Sequence, residues 1–277
     1  MYNTDHANDT ECITWCQMGG QIGPIPLKKG GRKEASGGVR QRVERLGGLR
    51  CVIAEKEKGS DDPPLLLVVM AHGINVLPDD LYGLAYHCAT HAGVGLPRVR
   101  FVLPGAPEAC ELTEDMVRPP CRWFQWDEST SASVAASRLE KVVGTYCACV
   151  KEAMAGAPNA RLVLCGFSQG AIVSLAAACR GSAALGAPPA ALIQLSAQAP
   201  FAELPAACLD GTALLVATGE RDHIAPVASA QTLLAACTAA GAAAEPLFTF
   251  GGEHDVTPEV ADRVANFLKQ VLPVDAD

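Results

Sequence analysis

The run Arg161-Leu162-Val163-Leu164-Cys165-Gly166-Phe167-Ser168-Gln169-Gly170-Ala171-Ile172-Val173-Ser174-Leu175 carries three signals in succession. Residues 161–165 are apolar and partly branched, as a buried strand requires. Residues 166–170 are a G-x-S-x-G match. Residues 171–180 are rich in alanine with apolar residues at helical spacing, and read as a buried helix. A strand, a sharp turn and a helix are the context a nucleophile elbow needs. Glycine at 166 and 170 relieves crowding between the incoming strand and the outgoing helix. The turn lifts the Ser168 hydroxyl to the end of the strand. It also sets Ser168 and Gln169 at a helix start, where backbone N–H groups lack partners and the dipole favours negative charge.

The flanking sequence extends this pattern. Strands are expected at 49–56, 65–71, 98–103, 190–196, 213–218 and 246–250. Helices are expected at 79–91, 132–155, 227–240 and 258–271. Residues 65–71, Leu-Leu-Leu-Val-Val-Met-Ala, form a continuous apolar run of the kind found in a central strand covered on both faces. Alternating strands and helices of this type imply an α/β fold with a mostly parallel sheet and helices on both faces. Residues 108–130 make a long loop containing Trp123, Phe124 and Trp126, and loops of that length are usually functional. Residues 1–47 are polar at the start and then dense in Gly, Lys and Arg with little periodicity. They read as an N-terminal extension, flexible or loosely packed, with a short strand at 22–27. The globular domain is expected over 48–277.

Composition excludes several classes of function. With 277 residues the chain can build one α/β domain with a substantial core. A formal net charge of -8 and a pI near 5.3 argue against a nucleic-acid partner, since no basic stripe interleaved with aromatics offsets them. No apolar run reaches the ~18 residues of a membrane span. The acidic residues of the first segment fit neither a secretory signal nor a transit peptide. The twelve cysteines mostly sit inside apolar runs and include no C-x-x-C pair, so they read as buried thiols of a reducing cytoplasm rather than as disulfides or a zinc site. Cys12 and Cys16 could carry lipid but show no distinguishing context. His87 and His91 stand at metal-ligand spacing on a helix without an evident third ligand, so no metal is expected.

A serine hydroxyl needs a base and a group to orient that base. The order serine, acid, histidine leaves His223 and His254, the two of the six histidines that follow Ser168. His223 directly follows a candidate acid and leaves no room for a separate acid loop. His254 lies past the 246–250 strand in Gly251-Gly252-Glu253-His254 and is the candidate base. The 213–218 strand leads into Gly219-Glu220-Arg221-Asp222, where Asp222 is the favoured acid and Glu220 the alternative.

At this point the chain resembles the phospholipase/carboxylesterase family of α/β-hydrolases, which includes the acyl-protein thioesterases. The resemblance rests on Met70-Ala71-His72-Gly73-Ile74, Arg100-Phe101-Val102-Leu103-Pro104-Gly105-Ala106-Pro107, Cys121-Arg122-Trp123-Phe124, residues 166–171, residues 217–226 and Gly252-Glu253-His254. These segments keep the family's order from residue 65 onward. The resemblance implies an α/β-hydrolase fold and Ser168, Asp222 and His254 as a triad. It also implies an oxyanion hole from the backbone N–H groups of Ile74 and Gln169, with Trp123 near the substrate cleft. Asn75 departs from the pattern, standing where the family has a glycine. The expected activity is cleavage of carboxylic esters or thioesters through a covalent acyl-enzyme, without cofactor. A long-chain acyl-protein thioesterase or lysophospholipase is the alternative, and a non-catalytic binding protein the third reading. The substrate is expected to be a small-molecule or lipid-type acyl compound.

Overall fold

The computed structural model describes residues 38–56, 63–77, 79–90, 96, 98–110, 121–126, 129–198 and 203–273. The chain order is β1 (Val39–Leu46), β2 (Leu49–Lys56), β3 (Leu66–Ala71), α1 (Tyr82–Thr90), β4 (Val99–Pro104), β5 (Glu108–Ala109), β6 (Cys121–Arg122) and α2 (Ala132–Ala155). It continues through β7 (Arg161–Phe167), α3 (Gln169–Ala178), α4 (Gly181–Leu185), β8 (Pro189–Leu195), β9 (Ala213–Gly219), α5 (Val227–Ala239), β10 (Ala243–Ala244), β11 (Phe248–Phe250) and α6 (Pro258–Val271).

One sheet organises these elements, in the order β1-β2-β4-β3-β7-β8-β9-β10, with β11 also paired to β9. From β4 to β10 and β11 every pairing is parallel, and β1 and β2 run antiparallel at one edge. The reason lies in the strands themselves. All six residues of β3 are buried, and alternate side chains enter opposite layers. Leu67, Val69 and Ala71 face a core built with α2, α3 and α5 (Tyr146, Val173, Leu233). Leu66, Val68 and Met70 face a second core built with α1 and α6 (Leu84, Val264, Leu268). Such two-sided burial needs continuous apolar strands, which is what the sequence supplies. The result is a mixed sheet with helices on both faces, an α/β-hydrolase fold.

Strand order also locates the site. The chain leaves β3 to one side for β4, then returns across it to β7 on the other side. The C-terminal ends of β3 and β7 therefore flank a topological switch point, where open α/β sheets form their crevice.

Several elements depart from the sequence reading. Residues 39–46, expected within an irregular extension, form β1. Its sequence Val-Arg-Gln-Arg-Val-Glu-Arg-Leu lacks apolar alternation because it is an edge strand with few core positions. It is held by full antiparallel register with β2 and by Arg40 and Arg42 on Glu55, at 2.9 and 2.7 Å. Gly47 and Gly48 close the hairpin with φ of 56° and 84°, the two positive values a type I′ turn requires. Within the long loop, β5 and β6 pair with each other, and Cys121 bridges to Val76. The expected strand at 22–27, His91, Cys12 and Cys16 lie outside the described residues.

Candidate active site

The elbow is built as the glycines demand. A Cβ on Gly166 would stand 2.4 Å from the Gly170 carbonyl oxygen, and one on Gly170 would stand 2.0 Å from the Ala71 carbonyl oxygen. Only glycine lets α3 start this close to the ends of β7 and β3. Ser168 takes φ 53° and ψ -120°, a backbone conformation that costs a non-glycine residue about 1–3 kcal/mol. Its N–H donates to the Leu195 carbonyl at 3.0 Å, and its own carbonyl accepts from Ala171 N–H at 3.0 Å. Those bonds, with the packing of α3, hold the strained turn in place.

Two later loops are zipped together to supply the acid and the imidazole. Glu220 N–H donates to the Phe250 carbonyl and Arg221 N–H to the Gly252 carbonyl, both at 2.9 Å. This lays the turn after β9 against the turn after β11. Of the two carboxylates considered, Asp222 reaches His254: its Oδ2 lies 2.8 Å from His254 Nδ1, while Glu220 is exposed. Asp222 Oδ1 accepts from Ile224 N–H at 2.9 Å and Ala225 N–H at 2.7 Å. Burial pushes the Asp222 pKa up, but the bonds from His254 and Ala225 outweigh it, and the carboxyl is held below its ordinary value. With Oδ2 ionised and accepting, His254 carries its proton on Nδ1 and leaves Nε2 as the free base. The His254 ring rests on Phe167, 4.9 Å between centroids, which sets the imidazole beside the residue preceding Ser168.

The loop after β3 approaches from the other side. A Cβ on Gly73 would lie 3.6 Å from the Ser168 Cβ, so this loop borders the serine directly. Ile74 and Asn75 form its turn, and Asn75 adopts φ 57°. Asparagine tolerates the left-handed region, so it serves where the resemblance places a glycine.

Some contributors had no assigned role in the sequence. His72 is fully buried, and Ala106 N–H donates to its Nε2 at 3.0 Å. That assigns the proton to Nδ1, which faces the Gly73 carbonyl at 2.7 Å. Burial drives its pKa down to about 4, so the ring is neutral at physiological pH and ties the β3 loop to the β4 loop. The Gln169 side chain accepts from Trp123 N–H and donates to the Phe124 carbonyl, both at 2.8 Å. Trp123 itself is only 1% exposed. Its indole N–H donates to the His72 carbonyl at 2.8 Å, and its ring meets Tyr146 edge-on. Trp123, expected near the substrate cleft, thus braces the loop after β3. A polar residue ending an otherwise apolar strand was the one signal for His72; nothing local foretold the reach of Gln169.

Of the two histidines at metal-ligand spacing, His87 lies among the described residues. His87 Nε2 meets Asp262 Oδ1 at 2.7 Å across α1 and α6. Among the described residues no group of three metal-ligating side chains converges, and no helix is long and apolar enough to cross a membrane.

Comparison with known proteins agrees with this architecture. The model of the phospholipase/carboxylesterase family matches residues 56–272. No curated protein matches significantly in sequence. Among solved structures, esterase PE8 superposes with a TM-score of 0.63 at 22% identity, covering 84% of this chain and 99% of its own. A carboxylesterase from Mesorhizobium loti gives 0.63 at 17% identity, covering 83% and 98%. A Bacillus cereus carboxylesterase gives 0.60 at 15%, covering 84% and 95%. At these identities the likeness is one of fold.

Proposed function

The chain belongs to the phospholipase/carboxylesterase family, and we propose that it cleaves carboxylic esters or thioesters through a covalent acyl-enzyme. The observation that carries this reading is the Asp222–His254 pair, whose imidazole packs on Phe167, the residue before the strained Ser168. Ser168 attacks the acyl carbonyl while His254 Nε2 takes its proton. The same imidazolium then protonates the departing alkoxide or thiolate. Water repeats the sequence on the acyl-enzyme. Asp222 fixes the tautomer and stabilises the imidazolium. The N–H groups of Ile74 and Gln169 receive the developing oxyanion, an interaction worth about 3–4 kcal/mol per donor in related chemistry. Trp123 acts on substrate binding through the loop it braces. None of these steps calls for a cofactor.

A small-ester carboxylesterase is the favoured form, with a long-chain thioesterase or lysophospholipase as the alternative. A fluorophosphonate probe tests the chemistry: labelling of wild type but not of Ser168→Ala is expected, and labelling of both would move the nucleophile elsewhere. An acyl series of acetyl, octanoyl and palmitoyl esters and thioesters then separates the two forms; kcat/KM falling with chain length supports the first. The cytoplasm remains the proposed compartment, in keeping with thiols packed inside apolar elements, and cell fractionation tests it.

A further inference from the structure

Beyond the active site, the cysteines fall into unequal groups. Cys51 and Cys149 lie 3.5 Å apart, sulfur to sulfur, and both are fully buried. Cys179 and Cys208 are closer, at 2.8 Å, and both are half-buried. That separation is inside the ~3.5–4.0 Å at which non-bonded atoms of similar size rest. It is within an ångström of the about 2.04 Å of a sulfur–sulfur bond. Cys179 caps the C-terminal end of α3, the helix that begins at the serine elbow. Cys208 stands in the turn at 206–211 that feeds β9, the strand leading to Asp222.

We propose that Cys179 and Cys208 form a thiol–disulfide modification site, closing to an intramolecular disulfide when the protein meets a low-molecular-weight disulfide such as oxidised glutathione. The Cys208 thiolate attacks one sulfur of the oxidant and releases one small thiol. The Cys179 thiolate then attacks the protein-bound sulfur and releases the second. Two protein thiols are oxidised, one small disulfide is reduced, and the two protons leave on the two small thiols. Order of attack follows from the surroundings: burial and the neighbouring Cys208 sulfur push the Cys179 thiol up, so Cys208 is the better first nucleophile. The bond would clamp the far end of the serine helix to the acid-bearing half of the sheet and restrict the unfolded chain.

The test is peptide mapping of the folded full-length chain after oxidised glutathione, with remaining thiols alkylated in denaturant. The expected product joins the Cys179 and Cys208 peptides, is two hydrogens lighter than the separate thiols, and disappears with dithiothreitol. The Cys51–Cys149 pair should remain unlinked, because the oxidant cannot reach it. Oxidised wild type should melt several degrees above its reduced form, and Cys208→Ser, confirmed folded by circular dichroism, should show no such difference. Recovery of both cysteines alkylated while half-buried Cys110 has reacted would overturn the proposal. So would a stable glutathione adduct on Cys208, or a link from Cys208 to the buried Cys237 of α5.

Discussion

At the scale of single residues, the site depends on a few atoms held against their preferences. Ser168 carries a positive φ, and Gly166 and Gly170 remove two collisions that would forbid it. Replacing Ser168 by Ala should lower turnover of a p-nitrophenyl ester by ~10⁴-fold or more with little change in melting temperature; an unchanged rate would reject the serine. Gln169 makes a different prediction. Its side chain satisfies two buried backbone groups, at Trp123 and Phe124. Gln169→Ala leaves both unpaired and should cost about 2–6 kcal/mol, at roughly 1–3 for each orphaned group. Urea unfolding measures this, and a loss below 1 kcal/mol would mean that water replaces the amide. The G-x-S-x-G pattern was readable in the sequence because it is local. The Gln169 bridge was not, because its partners are more than forty positions away in the chain.

At the scale of elements, the β1–β2 hairpin shows how an edge strand escapes periodicity analysis. Its outer residues face solvent, so charge pairs replace apolar alternation. Arg40, Arg42 and Arg100 gather on Glu55 and tie β1, β2 and β4 together. Burial pushes the Glu55 pKa up, but the three guanidiniums hold it down to about 2. The hairpin tip docks on α2, where Gly47 N–H donates to Glu152 Oε2 at 2.6 Å. A Cβ on Gly47 would stand 2.2 Å from the backbone nitrogen of Cys149, whereas one on Gly48 meets nothing within 4 Å. Gly48→Ala should therefore cost only the strain of its positive φ, about 1 kcal/mol. Gly47→Ala should cost clearly more, since the hairpin must also leave the helix. Equal denaturant midpoints for the two variants would contradict this docking.

At the scale of the whole molecule, pH acts through groups shared by both halves of the site. His72 has a folded pKa of about 4 against 6.5 for an ordinary histidine. The unfolded chain thus binds the proton more readily. The stability contributed by neutral His72 is fully present above pH 6.5 and is lost as pH falls toward 4, with a slope of up to about 1.4 kcal/mol per pH unit. Asp222 and Glu55 have depressed values, so their contributions persist to lower pH and are lost only as pH falls through their folded pKa values. Guanidinium unfolding between pH 7 and 4 should show declining stability, and His72→Asn should flatten that decline. We also propose that the domain is independent of the first segment: a chain beginning at Gly38 should keep the wild-type melting temperature, and a large drop would place core contacts upstream.

The sequence by itself determined the architecture and the order of the candidate serine, acid and histidine along the chain. Continuous apolar strands alternating with helices admit few arrangements, and the elbow motif is written in adjacent residues, so both can be read without coordinates. Tertiary structure decided which carboxylate meets His254, since Asp222 and Glu220 differ by two positions and only the pairing of the β9 and β11 turns points one of them inward. It also decided that Trp123 is a buried brace, that Asn75 can hold a left-handed turn, and that a polar, glycine-ended segment becomes the first strand of the sheet. Each of these depends on groups far apart in the chain being brought within a few ångströms, and a contact of that kind leaves no periodic trace along the sequence.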